Sequence, residues 1–461
     1  MMSGTERRVQ RENRDDLPAN WVRVRLPEIA SINPTMDKSE IDDELLVSFV
    51  PMPAVEAETG KINVSTHRVF SEVKKGYTGF LEGDVLFAKI TPCMENGKMA
   101  VVPALENDIG FGSTEFHVLR PAHEISPEYL YYFVSSKGFR ITAEHNMTGA
   151  VGQRRVPTTF LNDSEIPLPP AGEQKRIIAK VEELLSELDK GVENLRTAQQ
   201  QLKIYRQALL KQAFDGKLTA TTECHEWPMA QLGTLLDFLT SGSRGWAQYY
   251  ADEGDIFIRA QNIKHDRLDL SDIAFVSLPE RAEGLRTRVR KGDLLITITG
   301  ANVTKSALVG KDIGTAYVSQ HVALCRPTDA VLSKFLYWFI VAEASGRKQL
   351  NGMAYGAGKP GLNLENIRSV VVPLPDLPEQ EKVVELIEEK LSVIEQLEKT
   401  ITDSLQQAEA LRQSILKKAF SGKLVEQSPE DEGARELLER IRTERAIQPS
   451  KARSNKTRVL A

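Results

Sequence analysis

The chain has 461 residues, 41% of them hydrophobic and 27% charged, with a formal net charge of -5. That length suits two or three domains of about 150 residues with ordinary apolar cores. The charge excludes a uniformly basic coat of the kind that displaces counterions from nucleic-acid phosphates, so any such contact must come from local patches or a basic partner. Lys74-Lys75, Arg154-Arg155 and the run Arg286 to Lys291 are such patches. No run approaches the ~20 apolar residues of a membrane span. Met1 to Asn20 is charged and polar without an apolar centre, unlike a secretory leader, so a cytoplasmic protein with no membrane partner is expected. Cys93, Cys224 and Cys325 lie too far apart for metal-ligand spacing, and neither a metal nor a disulfide framework is predicted.

In chain order, residues 1–20 read as a flexible segment. Residues 21–165 hold short apolar stretches punctuated by Gly and Pro, and Leu45 to Val50, Val85 to Ala88 and Phe116 to Leu119 predict strands of a mixed α/β module. Over 166–222 a Pro-rich stop precedes a stretch, Glu173 to Ala213, that has no proline and places Ile178, Val181, Leu185, Leu188, Val192, Leu195, Leu202 and Leu209 at heptad spacing. That pattern predicts one long helix with a seam for a partner helix. Residues 223–368 repeat the module plan, with strands predicted at Ile256 to Arg259, Gly292 to Ile298 and His321 to Arg326. Residues 369–426 repeat the helix, with Val384, Ile387, Leu391, Ile394, Ile401, Leu405, Ala408 and Ile415 on its seam. A helix and a basic tail follow over 427–461.

The duplication is explicit. Leu210-Lys211-Gln212-Ala213-Phe214-Asp215-Gly216-Lys217-Leu218 returns as Leu416-Lys417-Lys418-Ala419-Phe420-Ser421-Gly422-Lys423-Leu424. The same offset relates Pro167-Leu168-Pro169 to Pro373-Leu374-Pro375 and Glu173-Gln174 to Glu379-Gln380, while Gly83-Asp84 answers Gly292-Asp293 with a small register slip. This is domain-scale duplication, not a solenoid. Each helix of about 41 residues would span roughly 60 Å. Chain direction then requires the two seams to meet antiparallel, giving a pseudo-twofold molecule with a module at each end. Gln199 and Arg206 interrupt the first seam, and a polar seam residue can fix register.

Catalytic patterns are missing. Gly352 to Lys359 imitates a phosphate loop, but five residues separate Gly352 from Gly358 and Pro360 stands where a metal-binding Ser or Thr belongs. There is no Gly-x-Gly-x-x-Gly after a strand, no Gly-x-Ser-x-Gly and no His-Glu-x-x-His, nor an Asn-Pro-Pro-Tyr or Asp-Pro-Pro-Tyr tetrapeptide. His117, His145 and His321 read as surface or packing residues.

Leu168-Pro169-Pro170-Ala171-Gly172-Glu173-Gln174 before a heptad helix ending in Phe214-Asp215-Gly216-Lys217-Leu218, repeated over 373–424, resembles the specificity (S) subunit of type I restriction-modification enzymes over nearly the whole chain. Ala434 to Ala446 resembles the carboxyl-terminal helix of the enterobacterial, type IA-like branch. The resemblance implies two mixed α/β target-recognition domains (21–165 and 223–368), each reading half of a bipartite double-stranded DNA target. It implies two spacer helices that dock two methyltransferase (M) subunits, with restriction (R) subunits joining that core. The complex is then expected to methylate adenine N6 with S-adenosylmethionine and to cut unmodified DNA with ATP and magnesium, with none of these cofactors bound by this chain and no catalysis by it.

Base edges are matched best by Arg or Lys on guanine and Asn or Gln on adenine. The candidates are Lys89, Thr91, Asn96, Lys98, Thr114, Gln153, Arg154 and Arg155 in the first module. In the second they are Ser241, Arg244, Trp246, Gln261, Asn262, Asn302, Thr304, Lys305, Gln320 and Lys359. For each, a loop-stabilising or solvated role competes, and for Trp246 a packing role. Two other readings compete with the whole: a methyltransferase or nuclease fused to its reader, and a coiled-coil scaffold that does not touch DNA.

Overall fold

Apolar runs too continuous to alternate become strands buried on both faces, and these organise the two modules. The computed structural model describes residues 17–150, 152–219, 227–242, 244–279, 285–329, 331–356, 358 and 360–447. The first module runs β1 (Val22–Arg25), α1 (Leu26–Ile29), β2 (Ala30–Ile32), β3 (Leu46–Val50), β4 (His67–Val69), α2 (Phe70–Val73), β5 (Thr78–Leu81), β6 (Val85–Ala88), β7 (Met99–Val101), β8 (Ile109–Gly112), β9 (Phe116–Pro121), α3 (Pro127–Ser135), α4 (Lys137–His145), α5 (Thr158–Asp163) and β10 (Glu165–Leu168). After the long helix α6 (Ala171–Phe214), the second module runs β11 (Met229–Gln231), β12 (Leu236–Ser241), β13 (Tyr250–Ala251), β14 (Asp255–Ile258), β15 (Ile263–Lys264), β16 (Arg267–Leu268), β17 (Ala274–Val276), β18 (Leu294–Thr297), β19 (Ser306–Leu308), β20 (Ala316–Val318), β21 (Val322–Pro327), α7 (Ser333–Val341), α8 (Gly346–Met353), α9 (Leu364–Arg368) and β22 (Val371–Pro373). A second long helix, α10 (Leu377–Phe420), and α11 (Ala434–Ile447) complete the order.

Each module contains two four-stranded sheets, β2-β9-β6-β7 with β4-β3-β8-β5, and β12-β21-β18-β19 with β13-β17-β14-β20. Within each pair the same contact is parallel, β3 to β8 and β14 to β20. All four residues of β6 are buried, and alternation sends Val85 and Phe87 to the core shared with the helices and Leu86 and Ala88 to a second core between strands. Leu294 and Ile296 against Leu295 divide in the same way in β18. Each central strand is entered through a left-handed glycine, Gly83 (φ 78°) or Gly292 (φ 92°). The aspartate that follows is almost fully buried. Asp84 accepts Arg120 Nε and Nη2, both at 2.7 Å, and Leu81 N–H at 2.8 Å. Asp293 accepts Arg326 at 2.8 and 2.7 Å and Arg290 N–H at 2.7 Å.

The predicted helices are observed at 44 residues each, about 66 Å long. The chain divides into two compact units, one taking residues up to Glu193 and from Leu405 on, the other Asn194–Ser404. In the first, Ile177, Val181 and Leu185 near the start of α6 share a core with Ile415, Leu416 and Ala419 near the end of α10. In the second, Leu209, Leu210, Ala213 and Phe214 at the end of α6 share a core with Val383, Val384, Ile387 and Leu391 at the start of α10. Both pairings are antiparallel, as chain direction requires. These seams are not free-standing, because strands and short helices of the adjoining module complete each core.

The repeated glutamines weld module to helix. Gln174 Oε1 accepts Ser126 N–H at 3.2 Å and its Nε2 donates to Pro169 O at 3.3 Å. Gln380 does the same with Leu332 N–H and Pro375 O, both at 2.9 Å. In the first unit Glu173 accepts Trp21 Nε1 at 3.0 Å, and α11 buries Ala434, Leu437, Leu438 and Ile441 while Arg440 grips Glu124 at 2.8 and 2.7 Å. Cys93 and Cys325 are free thiols, with burial pushing Cys325 up. Cys224 and the basic tail from residue 448 lie outside the described residues. Among the described residues, no helix is long and apolar enough to cross a membrane, and no group of three or more His, Cys, Asp or Glu could hold a metal ion.

Candidate nucleic-acid interface

In the first module three segments distant in sequence converge beyond the end of β6. Lys89 N–H donates to Glu115 O at 2.9 Å, Val156 N–H donates to Lys89 O at 2.8 Å, and Thr91 N–H donates to Arg154 O at 3.0 Å. A hairpin closes when Thr148 and Arg155 exchange backbone bonds of 2.9 and 2.8 Å. Lys89, Thr91, Thr114, Gln153, Arg154 and Arg155 are thereby brought together, with Thr114 and Gln153 exposed and Asn96, also exposed, a few residues along the same loop. Thr91 Oγ1 points to Met147 Sδ at 3.8 Å. Arg154 lies 4.0 Å from Glu95 and 3.9 Å from Glu144. Arg155 is forked onto Glu115 by Nε at 2.9 Å and Nη2 at 2.8 Å, and that bonding holds the Glu115 carboxyl below the usual glutamate range. Lys98 turns inward, where its ammonium donates to Met52 O at 3.2 Å and Val55 O at 2.8 Å. His117 is a packing residue, with Nε2 2.8 Å from Val156 O and burial lowering its pKa.

The second module reproduces the frame. Ile298 N–H donates to His321 O at 2.9 Å, Leu362 N–H to Ile298 O at 2.8 Å, and Tyr355 and Gly361 exchange bonds of 3.0 and 2.8 Å. Residue by residue, Ile298 answers Lys89, Thr299 answers Ile90, His321 answers Glu115, Tyr355 answers Thr148 and Gly361 answers Arg155. At the end of β12, a Cβ on Gly242 would lie 2.1 Å from Val318 O, so only glycine permits this approach beside Ser241. Arg244 and Gln320 are exposed, and Gln320 Nε2 lies 3.2 Å from His321 Nε2. Several other candidates are structural in placement. Trp246 is buried, stacked on Phe257 at 5.5 Å and edge-on to Tyr317. Asn262, 2% exposed, accepts Arg259 N–H and donates to Asp269 O and Asp272 O. Thr304 donates to Asn351 at 2.8 Å, Gln261 to Asp272 at 2.9 Å and Asn302 to Ala260 O at 3.3 Å. Lys305 is half-buried in the turn whose N–H reaches Asn302 O. Lys359 lies outside the described residues.

The sequence did not single out Glu115, and His321 read as a surface or packing residue. Aligning Ser113-Thr114-Glu115 with Ser319-Gln320-His321 would have placed both at one structural position. Nor did the sequence single out Tyr355, which is 60% exposed beside the second hairpin.

Two α/β modules with loop clusters at equivalent strand ends define a class of duplicated fold, and the comparisons say which. Residues 18–203 and 227–407 match the type I restriction modification DNA specificity domain. The chain belongs to that family, in its enterobacterial branch of type I specificity subunits. The StySPI specificity subunit of Salmonella potsdam is 27% identical over 96% of this chain and 99% of its own length. The EcoKI specificity subunit of Escherichia coli K12 is 28% identical over 95% and 98%. The EcoAI specificity subunit of Escherichia coli is 43% identical over 38% of this chain, and the match spans 29% of that protein. A chain from a structure of type I R-M complex assembly and conformational transition shares the fold, with TM-score 0.73, 24% identity, and coverage of 88% of this chain and 99% of that one. The HsdS subunit of Thermoanaerobacter tengcongensis does so with TM-score 0.60, 23% identity, and coverage of 88% and 98%. The named relatives are specificity subunits of type I restriction enzymes.

Proposed function

We propose that this chain reads a bipartite duplex target, one half per module, and holds two adenine-N6 methyltransferase subunits on α6 and α10, through which restriction and translocase subunits join. One observation carries the reading. The two modules share a backbone frame at the end of β6 and β18, yet present different side chains on it, Thr114, Glu115 and Arg155 in one and Gln320, His321 and Gly361 at the matching places in the other. A scaffold that never met DNA would have no use for unlike polar tips on like frames. Exposed tips fit base edges, which supply sequence information, while nearby cations meet phosphates, which supply position. The helices are rulers for the gap, and the S-adenosylmethionine, ATP and magnesium belong to the partner subunits. In this reading the domains are 21–165 and 223–368 with spacers 166–222 and 369–426, and the assembly works in the cytoplasm.

Selection from a randomised duplex library by the full chain with its methyltransferase partner tests this. Two short fixed tracts separated by an unread gap are expected. A single continuous tract, or no enrichment at all, would overturn it and favour the scaffold.

A further inference from the structure

Resting on that reading, the geometry points to Arg155 as the residue that reads a guanine in the first half-site, with Glu115 as the positioning residue that aims it. The argument is a donor count. A guanidinium has five N–H groups: one on Nε and two on each Nη. Glu115 takes the Nε hydrogen at 2.9 Å and one Nη2 hydrogen at 2.8 Å. The carbonyl of Gln153 takes one Nη1 hydrogen at 3.2 Å. Two hydrogens are left, one on each Nη, the number that an end-on fork of the guanidinium requires. That fork is the two-donor pattern that matches guanine O6 and N7 in the major groove. Phosphate contact by the same fork is disfavoured, because the Glu115 carboxylate beside it repels an anion that a neutral base edge does not carry.

The rest of the site supports the assignment. Arg155 keeps 44% of its side chain exposed and Glu115 25%. The backbone at 155 is pinned on both sides, by bridges to Thr148 and to Ile90, so the guanidinium is held on a fixed base and loses little freedom on binding. At the equivalent position the second module has Gly361, which has no side chain, and in place of Glu115 it has His321, whose Nδ1 lies 3.2 Å from Thr299 Oγ1. The second module therefore has no end-on fork there, and its half-site is not required to carry guanine at the corresponding place.

The test uses the full chain with its methyltransferase partner and library selection as above, for wild type, R155A, R155K and E115Q. R155A is expected to lose preference for one G·C pair in the first half-site by about 5- to 150-fold, the range for one bidentate base contact. R155K should restore little of it, since an ammonium lacks the fork. E115Q should weaken that same position while leaving affinity for unrelated duplex equal or higher, because a negative charge beside DNA has gone. Retained preference at the other positions of the first half-site in each variant shows that the first module is folded, since the two units need not unfold together. Loss of affinity that is uniform over all sequences would make Arg155 a phosphate contact and overturn the assignment, as would an unchanged first half-site. A base other than guanine lost at that position would overturn it too. A wild type that selects no split site would instead sink the proposed function itself.

Discussion

Replacing Gln380 by Ala removes the weld between the second module and α10. The side chain is fully buried and its two bonds, to Leu332 N–H and Pro375 O, are both 2.9 Å. Truncation leaves an amide donor and a carbonyl acceptor without their partner, and each such group costs about 1–3 kcal/mol. Leu332 is only half-buried, so water can replace part of the loss, and a total of about 2–4 kcal/mol is expected. Because a chain of two units need not unfold in one step, the assay is hydrogen exchange by mass spectrometry, read separately over α7 with the first turns of α10 and over α3 with the first turns of α6. Protection should fall by about 30- to 1,000-fold in the former, the equivalent of that free energy at 1.4 kcal/mol per decade, with the latter unchanged. Gln174→Ala should do the reverse, somewhat more weakly because its bonds are 3.2 and 3.3 Å. A loss below threefold in both variants would refute the claim that these glutamines join module to helix.

Asp293→Ala should destabilise the second module by about 2–4 kcal/mol in denaturant melts, since removing one partner of a buried pair strands the other, here eased by an Arg326 that is 20% exposed; a loss under 1 kcal/mol would contradict this. Lys98→Met should lower the stability of the first module by about 1–3 kcal/mol without changing the selected DNA sequence, because the ammonium serves two carbonyls; an altered first half-site would return it to the interface. Glu124 and Glu28 are held below the ordinary glutamate value of 4.5 by bonds to Arg440 and Arg442. Their contribution to α11 docking is thus present above about 4.5 and lost as pH falls through the lower folded values. Exchange over 434–447, corrected for intrinsic rates, should be flat from pH 7 to 5 and quicken below; quickening on going from pH 5 to 7 would contradict the sign.

Much of the architecture was legible because it is periodic or repeated. Glu173 to Ala213 predicted a helix found at Ala171–Phe214, and the strand predictions at Val85 to Ala88 and Phe116 to Leu119 fell on β6 and β9. The heptad reading found Val181, Leu185 and Leu209 but passed over Ile177, which is 1% exposed, because a straight 3.6-residue helix drifts off a strict heptad and the module packs against a wider stripe than one partner helix would. The site was harder to read. Residue type alone promoted Asn262, Thr304 and Lys98, whose polar atoms are taken up by buried turns and carbonyls. Glu115 was invisible for the opposite reason, since its charge argues against DNA until Arg155 is seen on it. Which polar side chain faces outward depends on long-range backbone bonds, such as Thr91 N–H to Arg154 O, that no local pattern encodes.

The most direct test of the central claim is methylome sequencing of a methylation-free host that carries this chain and the methyltransferase subunit proposed above as its partner. It would be repeated with the 148–155 hairpin altered and then with the 355–361 hairpin altered. The account predicts a split adenine-methylated motif in which the first change affects one half only and the second change the other half only. A motif whose two halves change together, or that ignores both alterations, would contradict it.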